Sequence, residues 1–290
     1  MSDQASKLKE IVNAQSNSKS KKTRFIAVTS GKGGVGKSTI SANLAYMFSQ
    51  HGIKVGLFDA DLGLANLDVI LGVSTPKNLL HVVKGECTLD EATVKIDENF
   101  FLIPGDSGEE ILKYADPLFF ERLLGSASSI DDLDVMIIDT GAGIGENTQM
   151  FLKAADDVIV VAIPDPASIT DAYAMIKINS TLRGDVGLFL NQVKSEKEAS
   201  MIFDKIFKVA EKNIGTHFRL DYLGKLSSDP AVGKAVKQRK LFTKEPGAGV
   251  VTKDIDRLVR NLSKKMERNM LVDGTESGIN GLFKRLLDQF

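Results

Sequence analysis

The sequence predicts an α/β protein in which a mostly parallel sheet is covered by helices on both faces. Short runs rich in Val and Ile alternate with longer segments of helical period, a pattern typical of strands buried on both sides. A glycine-rich loop follows the first run, and two later runs end in aspartate. The predicted strands are Phe25–Thr29, Val55–Asp59, Phe100–Ile103, Val135–Asp139, Val158–Ile163 and Gly187–Val193, and the predicted helices between them are Ser38–Gln50, Pro117–Ala127, Ala167–Leu182 and Lys197–Lys212.

The segment ahead of the first strand has a different composition. Residues 1–12 are mildly amphipathic, and residues 13–23 are polar and rich in Ser and Lys, which is typical of a flexible tether. We therefore expect three parts in the chain. Residues 1–23 form an N-terminal segment and tether, residues 24–270 form the globular domain, and residues 271–290 form a linker and a last helix.

The loop after the first strand contains a complete phosphate-binding pattern: Gly31, four residues, Gly36, Lys37 and Ser38. Only a loop nearly free of side chains lets several backbone N–H groups approach a phosphate closely. Lys37 is expected to neutralise the β- and γ-phosphates of a bound nucleoside triphosphate, and Ser38 to bind Mg²⁺. This predicts a three-layer P-loop NTPase fold. The expected nucleotide contacts in the loop are Gly31, Lys32, Gly33, Gly34, Val35, Gly36, Lys37, Ser38 and Thr39.

Aspartates stand at the carboxyl ends of two other predicted strands. Ligands of parallel sheets lie beyond these ends, so Asp59, Asp61 and Asp139 should lie beside the loop. Asp139 follows an apolar run and has the character of a residue that holds the metal through water. Asp59 or Asp61 is then free to orient or deprotonate the attacking water.

Two helices and a separate terminal element complete the pattern. Pro230–Arg239 and Lys253–Asn269 are expected to close the domain, and Val272–Ser277 is a second polar tether. In residues 278–290 the apolar side chains fall on one helical stripe. The stripe could pack on the core, but the tether, the terminal position and the two Phe beside Lys and Arg favour a membrane-interface helix. The stripe consists of Ile279, Leu282, Phe283, Leu286, Leu287 and Phe290.

Composition narrows the function classes. The chain has 290 residues and a net charge of −1, which does not favour a nucleic-acid partner. Its one cysteine, Cys87, cannot form an internal disulfide or a paired-cysteine metal centre. The N-terminus is polar and no run approaches about 18 apolar residues, so we expect a cytoplasmic protein.

These motifs resemble those of the MinD/ParA family. GKGGVGKST resembles the family's deviant Walker A sequence, KGGxGK[ST], and the resemblance extends from Arg24 to near Asn269. Two further stretches are similar to the family's two switch regions, and two more match other conserved parts of the pattern. These four stretches are FDADLGLANLDVILG (58–72), IIDTGAGI (137–144), PDPASITDAYAMIK (164–177) and FLNQV (189–193).

The resemblance implies roles for individual residues. Lys32 would reach across an ATP-dependent dimer to the partner's phosphates, so that hydrolysis depends on dimerisation. Asp61 would position the water, which leaves Asp59 with Ser38 and Asp139 at the metal. Asn191 would read the adenine, and Asp229 lies where the family's later loop approaches the base. Gln192 stands where arginine is common in relatives, so the arginine that would stack on the base is absent from this position.

The string Asp3-Gln4-Ala5-Ser6-Lys7-Leu8 resembles the DQAxxLR motif of the flagellar number regulators FlhG (also called FleN or YlxH), with Lys9 in place of the motif's arginine. In that branch the segment folds as a helix on the signal-recognition-type GTPase FlhF and stimulates its hydrolysis. Gln4 would then be supplied to the partner's active site, with Asp3 and Leu8 beside it.

We therefore predict a dimerising, membrane-associated ATPase that controls flagellar number and placement through FlhF and through flagellar basal-body or regulatory proteins. Its expected location is the cytoplasm, reversibly at the inner membrane. A MinD-type division-site selector is one alternative, and it predicts that residues 1–20 are dispensable. A ParA-type DNA-partitioning ATPase would need a basic surface. A nucleotide-locked adaptor would not need its catalytic residues intact, and iron–sulfur carriers of this family need paired cysteines.

Overall fold

The centre of the protein is an eight-stranded sheet with the order β3-β4-β2-β5-β1-β6-β7-β8. The computed structural model describes residues 23–62, 64–108 and 132–269, together with Leu282, Phe283, Arg285, Leu286 and Gln289. Neighbouring strands are parallel except for the edge pair β3–β4. The strands are β1 Arg24–Thr29, β2 Val55–Ala60, β3 Val94–Asp97, β4 Phe100–Ile103, β5 Val135–Thr140, β6 Asp157–Ala162, β7 Asp185–Val193 and β8 Arg219–Ser227.

Helices lie on both faces of this sheet, so the α/β class with three layers is confirmed. The helices are α1 Lys37–Gln50, α2 Leu67–Leu71, α3 Leu79–Val83, α4 Leu89–Ala92, α5 Glu146–Ala154, α6 Pro166–Leu182, α7 Glu196–Ile214, α8 Pro230–Lys237 and α9 Gly249–Asn269, with a 3₁₀ turn at Phe242–Lys244.

Side chains of the central strands alternate between two apolar clusters, one on each face of the sheet. In β1, Phe25 and Ala27 belong to the cluster beneath α5 and α6, whereas Ile26 and Val28 belong to the cluster beneath α1 and α9. All four side chains are fully buried. This is the period of two that a strand covered on both faces requires. Burial on both faces holds the central strands in place, and β1, β2 and β5 therefore end side by side at one edge of the sheet.

The structure contains elements that the sequence did not reveal. The strands β3 and β8 and the helix α5 were not predicted, because none of them is a continuous apolar run or a long helical pattern. In β8 (RLDYLGKLS), an edge strand, buried residues are interspersed with partly exposed ones. The predicted helix Pro117–Ala127 lies outside the described residues.

The C-terminal segment packs against the domain. Leu282, Phe283 and Leu286 are fully buried in the cluster beneath α5 and α6. The ring of Phe283 lies 6.4 Å from that of Phe58 in an edge-on arrangement. These three side chains were predicted to bind a membrane; in the structure they lie in the core, and the membrane role stays a prediction. Ile279, Leu287 and Phe290 lie outside the described residues.

Polar contacts hold this segment to the end of α5. Arg285 donates hydrogen bonds to the Ala154 carbonyl and to Asp156 Oδ1, each at 3.0 Å, and its guanidinium lies 5.1 Å from the centre of the Phe25 ring. Gln289 Nε2 donates to the Met150 carbonyl at 3.1 Å. Among the described helices, none combines the length and the apolar character needed to cross a bilayer.

Candidate nucleotide site

The phosphate loop joins β1 to α1 at the carboxyl edge of the sheet. Gly34 and Gly36 have φ values of 79° and 87°, a left-handed backbone that favours glycine. A Cβ atom at Gly36 would lie 2.5 Å from Asn191 Nδ2, so the loop also approaches its neighbour too closely for a side chain. No described side chain caps the first turn of α1, which leaves its N–H groups available to an anion.

Lys37, the first residue of α1, forms a buried ion pair with Asp139. Its Nζ lies 3.1 Å from Asp139 Oδ2 and 3.3 Å from Ser38 Oγ. Ser41 donates to the other oxygen, Asp139 Oδ1, at 2.7 Å. Asp139 is therefore held from two sides at the end of β5, next to the lysine and the hydroxyl expected at the phosphates and at the metal.

Asp59 is 2% exposed at the end of β2, and its carboxylate binds the backbone of the following loop. Oδ2 accepts N–H bonds from Asn66 and Leu67 at 2.9 and 3.0 Å, and Oδ1 accepts a longer one from Asp61. Burial and the nearby charge of Asp139 raise the pKa of Asp59 to about 7. These contacts favour a role in holding the loop, while the expected role at the metal stays a prediction.

The titration of Asp59 predicts a pH dependence of stability. In an unfolded chain an aspartate titrates at about 3.9, but folded Asp59 keeps its proton up to about pH 7. The folded state binds the extra proton in this window, so the free energy of unfolding falls as the pH rises through it. We expect Asp59→Asn to remove this decline in thermal denaturation of the nucleotide-free protein. Asp204→Asn, at an exposed position on α7, is the control, and parallel pH profiles of wild type and Asp59→Asn would contradict the assignment.

Asp61 faces the loop that follows β5. Its Oδ1 would lie 3.1 Å from a Cβ atom at Gly141, and it lines the same cavity as Lys37 and Ser38. Burial raises the pKa of Asp61, while Lys37 lowers it and Asp139 raises it further. Gly143 donates its N–H to the Ser30 carbonyl at 2.8 Å, which joins this second loop to the phosphate loop. Asp61 is therefore placed between the two loops, and its expected role in orienting the attacking water stays a prediction.

Lys32 is oriented differently from Lys37. Its side chain is 50% exposed, and its Nζ lies 3.8 Å from Asp165 Oδ1. Asp165 also caps α6 by accepting the Ser168 N–H at 3.0 Å. The two lysines of the loop are thus distinct, since one is buried against Asp139 whereas the other lies at the surface.

A second cavity adjoins the phosphate loop beyond the ends of β7 and β8. It has a volume of about 430 Å³, and Asn191, Gln192 and Asp229 line it. Asn191 Nδ2 donates to the Val35 carbonyl at 2.7 Å, so this amide connects the second cavity to the phosphate loop. Asp229 caps α8 by accepting the Ala231 N–H at 2.8 Å.

The residues present fit ATP with Mg²⁺. The cavity at the loop has a volume of about 450 Å³ and shares Gly36, Thr39 and Val236 with the second cavity, so the two are continuous. One end offers a lysine, hydroxyls and backbone N–H groups, as a triphosphate requires. The other end offers an amide and apolar walls, which suit a base. Magnesium needs few protein ligands in such sites, because phosphate and water oxygens complete its coordination.

Exposed apolar side chains flank this site. Leu64, after β2, is 72% exposed, and Ile144, after β5, is 52% exposed. Both lie on the loops that follow Asp61 and Asp139. The loops beside the polar cavity therefore each expose one large apolar side chain.

The structure brings together the predicted phosphate-loop residues, Asp59, Asp61, Asp139, Asn191 and Asp229 at one edge of the sheet. Asp3, Gln4 and Leu8 lie outside the described residues. Two participants were not predicted. Ser41 stands four residues after Lys37, one helical turn further on, and this spacing could have predicted that both side chains lie on the same face of α1. Asp165, the partner of Lys32, carried no local signal because the contact depends on how α6 packs.

Comparisons with known proteins agree with this geometry. A model of the ParA family, described as NUBPL iron-transfer P-loop NTPase, matches residues 21–263. The flagellum site-determining protein YlxH of Helicobacter pylori is 46% identical over 99% of this chain and 99% of its own length. The antiactivator FleN of Pseudomonas aeruginosa is 39% identical over 77% of this chain and 80% of FleN.

A solved structure shows the same architecture. The septum site-determining protein MinD of Pyrococcus horikoshii, complexed with Mg-ADP, is similar with a TM-score of 0.67 and 25% identity. The similarity covers 84% of this chain and 97% of that one. The nucleotide in that complex is of the class that the two continuous cavities fit.

Proposed function

The chain belongs to the ParA/MinD family of P-loop ATPases, and from this premise we propose that it is an ATP-dependent, dimerising ATPase that controls the number and placement of flagella. The similarity to YlxH supports the proposed flagellar function, because it extends over 99% of both chains and so includes the segment ahead of Arg24. The buried Lys37–Asp139 pair beside the glycine-rich loop supports the ATPase part.

Each residue of the site has a task in this proposal. Lys37 and the loop N–H groups bind the phosphates, while Asp139 and Ser38 would hold Mg²⁺, which would neutralise negative charge on the phosphate oxygens. Asp61 orients the attacking water, and Asp59 holds the loop that carries Asp61. Asn191 and Asp229 face the base.

Dimerisation completes the site. Lys32 is half exposed and lies away from the buried Lys37–Asp139 pair, so it is accessible to a second copy of the chain. Leu64 and Ile144 provide apolar surface beside the cavity for that copy to cover. A cation supplied by the partner makes hydrolysis conditional on the dimer.

The partner GTPase FlhF would bind the segment that contains Asp3, Gln4 and Leu8, and Gln4 would enter the GTPase site. This part of the proposal depends on the sequence motif and on the identity to YlxH, which extends over 99% of this chain. Flagellar basal-body or regulatory proteins are further proposed partners, and the ATP-bound dimer is the form that binds them.

Membrane binding requires release of the docked C-terminal residues. The helix α5 starts directly after the loop at residues 141–145, and Ala154, its last residue, accepts a hydrogen bond from Arg285. A movement of this loop on ATP binding can thus be passed through α5 to the docked segment. Two released helices in one dimer bind a bilayer far more tightly than one, because the second insertion is intramolecular. The proposed site of action is the cytoplasmic face of the inner membrane.

The contact between Asp156 and Arg285 predicts a constitutively membrane-bound variant. Asp156→Asn removes the charge that Arg285 pairs with, and it leaves the terminal segment itself unchanged. Charged hydrogen bonds contribute about 1.5–3 kcal/mol, so the undocked population should rise roughly tenfold or more. Vesicles of anionic phospholipid should then sediment the nucleotide-free variant but not the nucleotide-free wild type. Leu282→Glu added to the variant should abolish this sedimentation, and equal sedimentation of variant and wild type would contradict the release.

The cellular function can be tested by deletion of the gene and by an allele that lacks residues 2–20. We expect both strains to have too many or misplaced flagella, counted by electron microscopy. A deletion strain with minicells and normal flagella, together with a silent allele lacking residues 2–20, would overturn the flagellar proposal in favour of a MinD-type division-site selector.

A further inference from the structure

A buried ion-paired cluster lies beneath one wall of the second cavity and consists of Lys225, Ser227 and Asp254. Asp254, on α9, is 6% exposed, and the Lys225 side chain is 10% exposed. Asp254 Oδ2 accepts the Ser227 N–H at 2.9 Å, the Ser227 hydroxyl at 2.7 Å and Lys225 Nζ at 3.2 Å. Lys225 Nζ also donates to Ser227 Oγ at 2.7 Å.

Ser227 is the last residue of β8 and belongs to the cavity wall that leads to α8. The next residue, Ser228, donates its N–H to the Val193 carbonyl at 2.9 Å, and Asp229 caps α8. Together with Pro230, these residues line the same cavity as Gln192. Asp254 therefore connects this wall to α9, a long helix that packs on the other elements of its face of the sheet.

We propose that Asp254 is a positioning residue that fixes the wall at residues 227–230 and thereby sets the preference of the site for adenine over guanine. This inference rests on the proposed ATP binding and deepens it. A site distinguishes two bases when its polar groups are held in place, because the wrong base then leaves them unpaired. A wall that can shift accommodates both bases.

The proton arrangement at Ser227 gives this preference its direction. The hydroxyl donates a hydrogen bond to Asp254 and accepts one from Lys225, so the Ser227 oxygen can offer a further partner only an acceptor. An acceptor suits the exocyclic amine of adenine and opposes the carbonyl oxygen of guanine. Without the carboxylate, the hydroxyl is free to rotate and donate, which removes the discrimination.

Competition of ATP and GTP against a fluorescent ATP analogue, on the full chain, tests this role. Asp254→Asn should weaken ATP binding about tenfold and GTP binding much less, since one charge-assisted bond is lost. Asp256→Asn is the matched control, because Asp256 lies on the same helix and pairs with His51 and Arg260 at the surface. This control should keep the wild-type ratio of the two affinities.

If the ratio of ATP affinity to GTP affinity in Asp254→Asn equals that of the wild type, whether or not both affinities fall, the cluster serves stability alone and the inference is overturned. Ser227→Ala, a small truncation that keeps the backbone N–H bond, tests the same point if Asp254→Asn does not fold, and its ratio should also fall. Wild-type protein that binds neither nucleotide would overturn the proposed function itself. If the wild type and Asp254→Asn both prefer ATP over GTP to the same degree, only the role of Asp254 is overturned.

Discussion

Replacing Lys32 with alanine is expected to abolish ATP turnover while leaving ATP binding nearly intact. Lys32 is half exposed and not part of the buried ion pair that Lys37 makes with Asp139, so its loss should not disturb the cavity of its own subunit. A cation supplied in trans to a transferring phosphoryl group is worth about 10³-fold or more in rate. Single-turnover hydrolysis and fluorescent-nucleotide binding, measured on the same samples, separate the two effects.

Mixed subunits test the trans role directly. Lys32→Ala and Asp61→Ala proteins should each be inactive, but their mixture should regain activity. In the mixed dimer, one site has an intact Asp61 and receives Lys32 from the Asp61→Ala subunit. If Lys32 acted within its own subunit, no site of the mixed dimer would be complete and the mixture would stay inactive.

Lys37→Ala is the contrasting variant in the same loop. It removes the phosphate-binding lysine and leaves Asp139 without its 3.1 Å partner. Nucleotide affinity itself should fall, and mixing with Asp61→Ala should restore nothing, because one site then lacks Lys37 and the other lacks Asp61. A Lys37→Ala protein that bound ATP like the wild type would contradict the assignment of the loop.

The residues of the phosphate site could be predicted because their signals are local. The glycine-rich loop specifies its own backbone, and Asp59 and Asp139 end apolar runs whose carboxyl ends must meet at one edge of a parallel sheet. What Asp59 does there could not be predicted, since its bonds to Asn66 and Leu67 depend on how the loop folds back.

What the C-terminal apolar stripe packs against could not be predicted from the sequence either. An apolar stripe on a helix specifies an apolar partner, and a bilayer and a protein core satisfy it equally well. The contacts of Phe283 with Phe58 and of Arg285 with Phe25 could not be predicted, because Phe58 and Phe25 lie on buried strands far from the segment in the chain.

Phe283→Ala is the second substitution with a large expected effect, and it distinguishes a docked segment from a permanent part of the core. The side chain is fully buried and its ring packs edge-on against that of Phe58. Removing a buried phenylalanine from an ordinary core costs about 3–5 kcal/mol in the free energy of unfolding. If the segment can undock, however, the loss cannot exceed the free energy of docking.

This limit makes the second substitution informative. In a permanent core, Leu286→Ala added to Phe283→Ala should cost a further 2–5 kcal/mol or so in chemical denaturation. In a releasable segment the first substitution already favours undocking, so the double variant should be little less stable than the single one. The Asp156→Asn protein, in which docking is weakened, should also lose less stability from Phe283→Ala than the wild type does. Full additivity in both comparisons would rule out release, and with it the coupling of ATP binding to the membrane.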